Sequence, residues 1–241
     1  MTAPTATPVH RSRRIPWLAV LLTSLVIAVY APGQYLFDSL TNLAQSETGL
    51  ASTYAARPAA IQVAFYVHIA FAGLALLVGS FQFSRALRRR SPRLHRWIGK
   101  IYVVSVLIGG ASAFVMSFFS SVALLGFFGF GTLAVLWIWT TYRGYRSARD
   151  RDFAAHQAWM IRSYALTYAA PTLRIWLFVL LGVQLAFGVD GAQAAVNAYA
   201  PVPFLCWLPN IVVAEYLIYR RGLPGLDLGA LRRPRPLVAA D

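Results

Sequence analysis

Acidic residues are scarce in this chain: eight Asp and Glu stand against 22 Lys and Arg in 241 residues, a formal net charge of +14. Paired-carboxylate catalysis has almost no material to work with, because Asp150 and Asp152 come together only inside a basic turn, where they read as solvated. Cysteine is nearly missing as well. The lone Cys206 excludes an intramolecular disulfide framework and a cysteine-based metal cluster. No His or acid stands at a ligand spacing such as His-Glu-x-x-His, so no metal site is read. A glycine-rich phosphate loop and a serine-nucleophile motif are also lacking, which leaves an enzyme of the membrane interior without a recognisable nucleophile or metal set.

What the chain has instead is apolar length. It is 58% hydrophobic and 12% charged, with a mean hydropathy of +0.57, a balance that an ordinary soluble domain does not show. Six apolar runs approach the roughly 20 residues needed to cross a ~30 Å hydrocarbon core. They extend from Ile15 to Tyr30, Ala60 to Phe83, Gly99 to Phe119, Leu124 to Trp139, Ala158 to Leu181 and Phe204 to Tyr219. The expected fold is therefore an all-α integral membrane protein whose first partner is the lipid bilayer. Residues 15–220 form its transmembrane domain, between a disordered basic tail at 1–14 and a second tail at 221–241.

Two stretches repeat one pattern. Gly73, Arg85 and Arg88 have the same spacing as Gly131, Arg143 and Arg146, and each set leads into a Trp-x-x-[Lys/Arg]-x-Tyr run. In the first copy that run is His95, Trp97, Lys100 and Tyr102; in the second it is His156, Trp159, Arg162 and Tyr164. The reading is a duplicated transmembrane hairpin, spans 2 and 3 against spans 4 and 5, with repeat units at 60–119 and 121–181.

Charge placement sets the orientation. The arginines cluster in alternate connections, and on the other side only Arg57 appears. They are not interleaved with aromatics in the manner of a nucleic-acid surface, so no nucleic-acid partner is read. By the positive-inside rule both termini are expected to be cytoplasmic. The first run is kept as an anchor and not as a cleaved signal, since no Ala-x-Ala site follows it and Pro32 comes soon after. The segments Gln34 to Arg57 and Gly182 to Ala200 fall outside as short surface helices or a lid, and the seven tryptophans read as interfacial belt residues.

Polar residues inside the spans carry the functional reading, because each costs roughly 2.5 to 3.5 kcal/mol at a helix centre on insertion scales. At ~1.5 Å per residue, Arg162 and Glu215 each lie about 6 Å from the same end and can form a structural ion pair. By the same rise Arg174 and His68 share the opposite layer, about 24 Å and 22 Å up their helices. Together with Tyr168 and Asn210 they read as contacts for a small anionic or carbonyl ligand, with Asp38 or Asp190 available as counter-ions for the arginine. The competing reading has His68 in an interhelical hydrogen bond and Arg174 either snorkelling outward or bonded to carbonyls freed near Pro171. His95 and His156 occupy matched places in the repeat, and two histidines at equal depth are what one b-type haem requires. A histidine at a helix start beside arginines also serves as an interfacial cap.

The runs "HIAFAGLALLVGSFQF", "RRRSPRLHRWIGKIYV", "HQAWMIRSYALTYAAPTLR" and "WLPNIVVAE" resemble the bacterial predicted membrane proteins grouped as domain of unknown function family 2306. The likeness runs from Phe65 to Glu215. It implies that His68, His95, Arg96, Gly99, Tyr102, His156, Trp159, Arg162, Arg174, Asn210 and Glu215 are positions that family carries, and it brings no activity with it. The layout is also distantly similar to membrane cytochromes of the b561 type, although a fourth intramembrane histidine is lacking, so one haem is the most the chain would hold. The leading class is a small-ligand binding or transport-like module with a polar intramembrane site, and the alternative is a redox protein with one haem. Topology is open to direct measurement: a reporter active only in the periplasm should be silent after Asp241 and active near Gln45, and the reverse pattern would overturn the six-span orientation.

Overall fold

The computed structural model describes residues 14–45 and 51–226. Among them every regular element is a helix. The order is α1 (Arg14–Phe37), α2 (Leu40–Gln45), α3 (Ala51–Tyr54), α4 (Ala59–Gln82), α5 (Arg85–Arg90), α6 (Pro92–Ser117), α7 (Ala123–Arg149), α8 (Phe153–Thr167), α9 (Ala169–Ala186), α10 (Gly191–Tyr199), α11 (Val202–Leu205) and α12 (Leu208–Arg220). Six segments are long and apolar enough to cross a bilayer: Leu18–Phe37, Ala59–Gln82, Pro92–Ser117, Ala123–Arg149, Ala169–Ala186 and Val202–Arg220. The chain is an all-helical, multi-pass membrane protein. The expected tails at 1–14 and 221–241 lie almost wholly outside the described residues.

Contacts between successive long helices run in opposite directions, which makes the bundle up-and-down. Tyr35 of α1 meets Phe65 of α4, while Pro32 meets Gly73. Likewise His68 of α4 reaches Gly109 of α6, while Gly79 meets Tyr102. Helix α7 runs against α8 through Trp137 with Thr167 and Thr141 with Ser163, and α8 against α12 through Arg162 with Glu215. The basic turns, α5 and Asp150–Asp152, therefore lie at one end of the bundle, called here the basic end. Helices α2, α3, α10 and α11 lie toward the far end.

Several boundaries differ from the apolar runs, each for a local reason. Helix α1 continues through Pro32 to Phe37, because the proline ring packs where Gly73 has no side chain; a Cβ there would lie 2.9 Å from its Cγ. The run from Ala158 to Leu181 is not one straight helix. Pro171 has no N–H for the Thr167 carbonyl and its ring crowds that turn, so the helix is interrupted at Tyr168. Helix α7 runs ten residues beyond Trp139 and carries Arg143, Arg146 and Arg149 on helical backbone. It stops where Arg151 takes a left-handed conformation, φ 61°, that lets Asp152 N–H close onto the Ser147 carbonyl. The outer segments hold short helices. In the far-end cluster, burial pushes the Tyr54 phenol up to about 12, against the pull of Arg57, so it stays protonated and donates to the Met116 carbonyl.

The tryptophans do not form one belt. Trp97 is exposed, yet Trp137, Trp159 and Trp207 are buried. Two of these have their indole N–H satisfied inside the protein, Trp137 on Thr167 Oγ1 and Trp207 on the Pro203 carbonyl. A buried partner for the indole removes the reason to sit at the interface.

The core is built around Gly79, Tyr102 and Tyr164. Tyr102 is fully buried and its hydroxyl lies 2.7 Å from both Ser163 Oγ and Thr167 Oγ1. Thr141 Oγ1 lies 2.6 Å from Ser163 Oγ, and Ser24 of α1 reaches the Tyr164 hydroxyl at 2.9 Å. A Cβ on Gly79 would sit 2.8 Å from the Tyr102 ring and 2.9 Å from the Tyr164 ring. Both rings are pinned by their hydroxyls and cannot swing away. Gly79→Ala should therefore destabilise the protein by roughly 1 to 3 kcal/mol, the usual cost of overpacking. Gly182→Ala, with nothing within 4 Å of its Cβ, should be neutral or stabilising. Thermal unfolding of the detergent-solubilised protein measures both, and equal midpoints would show that the rings do yield.

Candidate functional site

Helix α8 delivers the most heavily partnered charge. Asp152 caps its first turn by accepting the Ala155 N–H, and one face then carries Trp159, Arg162, Ser163 and Thr167 inward, all of them buried. Arg162 donates from Nε to Glu215 Oε1 at 2.6 Å and from Nη2 to Oε2 at 2.8 Å, a forked pair that joins α8 to α12. Its guanidinium also lies over the Trp159 ring, 4.8 Å from the centroid. The pairing expected from helix depth is thus present in the geometry. The side chains are unequal: that of Arg162 is 3% exposed and that of Glu215 36%.

Beside this pair, polar hydrogen bonding is incomplete. Arg162 Nη1, His95 Nδ1 and Gln82 Nε2 are buried without a hydrogen-bond partner. Helix register brings them into neighbouring layers, since Gly79 and Tyr102 meet one turn away from Gln82 and Gly99, and a Cβ on Gly99 would lie 3.6 Å from Gln82 Oε1. His95 stands one turn further toward the basic end, near Arg88 and His156. His156 Nδ1 lies 2.8 Å from the Gly144 carbonyl. A carbonyl only accepts, so Nδ1 carries the proton in this bond. Buried polar groups in folded proteins nearly always have a partner, and three at one end of the bundle that lack them call for an explanation.

The residues expected to share the far layer each have a partner within the protein. His68 Nδ1 lies 2.9 Å from the Gly109 carbonyl of α6. Arg174 donates Nη1 to the Ala170 carbonyl of its own helix at 2.8 Å and lies near Tyr35 and Tyr30 of α1. Tyr168 hydroxyl lies 2.7 Å from Thr23 Oγ1. Asn210 donates Nδ2 to the Ala165 carbonyl and to Thr172 Oγ1, tying α12 to the helix interruption. Asp38 bonds Ser39 and Asn42, and Asp190 caps α10, so neither bond runs to Arg174.

Two features escaped the sequence reading. One is Gln82, whose signal was a lone amide at the end of an apolar run. The other is the hydroxyl network of Tyr102, Trp137, Thr141, Ser163 and Thr167. Its signal was spacing, because Trp137 with Thr141 and Ser163 with Thr167 are each four apart and share a helix face.

A family model described as "Predicted membrane protein (DUF2306)" matches residues 65–218, well over half of the chain. No curated protein and no solved structure matches. The matched stretch includes Gln82, His95, His156, Arg162 and Glu215 and begins beyond α1, α2 and α3.

Breaking a fully buried pair by removing one partner costs roughly 3 to 5 kcal/mol, and the exposure of Glu215 makes that an upper limit here. Glu215→Gln and Arg162→Gln should each lower thermal stability in detergent, with the double change losing less than the sum of the two. Strict additivity would show that the pair contributes no coupling.

Proposed function

The chain belongs to the DUF2306 family of predicted membrane proteins, and from that premise we propose that it is a small-ligand binding, transport-like module with its polar site at the basic end of the bundle. The arginine asymmetry makes that end cytoplasmic, in a bacterial inner membrane. One observation carries the reading. Arg162 spends two nitrogens on Glu215 and keeps Nη1 buried and unpartnered, and Gln82 Nε2 and His95 Nδ1 are buried and unpartnered in neighbouring layers of the same end.

The chemistry of this set selects the ligand class. Glu215 offsets the charge of Arg162, so the site offers single guanidinium and amide N–H donors more than a net positive field. Donors of that kind suit the oxygen of a carbonyl compound or a small monocarboxylate. His95 can donate or accept according to its tautomer. His68, Tyr168, Arg174 and Asn210 already have partners, and on this reading they hold helices in register.

His156 favours a second reading, one b-type haem with His95 and His156 as axial ligands. Metal-bound imidazoles characteristically donate their other N–H to a carbonyl, as His156 does to Gly144. A bound haem would supply one-electron chemistry. Against it, the helices are tight beside this residue: a Cβ on Gly144 would lie 2.7 Å from Met160 Sδ.

One preparation tests both readings. Thermal midpoints are recorded with acetate, lactate, pyruvate and acetone at graded concentrations, since a ligand at 100 times its Kd stabilises by about 2.7 kcal/mol. At least one compound should raise the midpoint, and Gln82→Leu or His95→Ala should abolish the shift while His68→Ala retains it. A rise that survives both changes would overturn the site. An absorption spectrum of the same protein from haem-replete cells should show no Soret band. A band lost in both His95→Ala and His156→Ala would replace the binding reading with the redox one.

A further inference from the structure

Helix α6 has two different faces at its basic end. His95, Gly99 and Tyr102 turn toward the bundle, whereas Arg93, Arg96, Trp97 and Lys100 line an open cleft of about 260 Å³ on the opposite side. All four are exposed. Among the described residues none of the three cations has an ion-pair partner, and Lys100 Nζ lies over the Trp97 ring, 5.3 Å from its centroid. No acid occurs between Arg85 and Lys100. Toward the far end the same side of the helix continues as the exposed apolar residues Ile101, Val104 and Ile108.

We propose that this cleft is a binding site for an anionic glycerophospholipid, with the headgroup phosphate among Arg93, Arg96 and Lys100 and the acyl chains along Ile101, Val104 and Ile108. Cations spaced three and four apart on one helix face converge within one headgroup's reach. Trp97 places an amphipathic ring at the headgroup level, and Lys100 extends its ammonium outward from an apolar stem. The apolar stripe below the cations distinguishes a lipid from a free phosphate, because a dissolved anion gains nothing from Ile101 or Val104. The cleft shares no residue with the Arg162 site, so the two proposals stand or fall separately.

The test is native mass spectrometry of the full chain released from nanodiscs of equal parts phosphatidylglycerol and phosphatidylcholine. Phosphatidylglycerol adducts should dominate. Each basic residue near an anionic surface contributes a factor of about five in affinity. The combined change Arg93→Gln, Arg96→Gln and Lys100→Gln should therefore lower the preference at least tenfold. Arg146→Gln, on α7 at the same end of the bundle, is the control and should leave it within twofold. Thermal midpoints in detergent show that both variants are folded. Equal retention of the two lipids, or a preference unaffected by the triple change, would overturn the site. Displacement of phosphatidylglycerol by submillimolar inorganic phosphate would overturn the lipid assignment in favour of a free anion.

Discussion

Tyr102 joins helices by contact and by hydrogen bond at once. Its ring lies against Gly79, where the missing side chain lets α4 approach, and its hydroxyl reaches Ser163 and Thr167 of α8. Those two residues extend the network to Thr141 and Trp137 of α7, while the neighbouring Tyr164 takes in α1 through Ser24. Within a bilayer there is little hydrophobic force between helices, because lipid tails are as apolar as leucine. Close packing at small residues and interhelical hydrogen bonds must supply the association. This one layer does both.

The same layer orients the side chains nearer the basic end. With Ser163 fixed on Tyr102 and Thr141, its neighbour Arg162 is turned toward α12, where Glu215 meets it. Gln82 and Gly99 are brought opposite each other one turn beyond Gly79 and Tyr102. The centre of the bundle is thus rich in completed hydrogen bonds. Its basic end keeps three buried nitrogens without partners. An uneven distribution of unmet polar groups is a physical marker of a ligand site, since leaving such a group buried and unsatisfied costs on the order of 1 to 3 kcal/mol.

The fold was legible to the level of its spans, and the site only in part. Helix depth was enough to bring Arg162 to Glu215, because a uniform rise per residue converts sequence position into height in the membrane. Height alone could not say which way a side chain faces. His68 and Arg174 share a level by that measure, yet one bonds α6 and the other its own helix beside α1. The tryptophans show the same limit. Trp97 and Trp159 hold matched places in the repeated pattern, and one is exposed while the other is buried under two arginines.

By itself, the sequence determined that this is a six-span helical membrane protein, which end of the bundle carries its positive charge, and which family it joins. Those come from run length, charge placement and motif, all of which are properties along one dimension. Apart from the Arg162–Glu215 pair, which polar groups find partners was decided by tertiary structure. That depends on helix rotation, on the close approach allowed at Gly79, and on the interruption that Pro171 forces at Tyr168. A hydrogen bond is a matter of ångströms and angles between residues far apart in the chain, and no pattern of letters carries that distance.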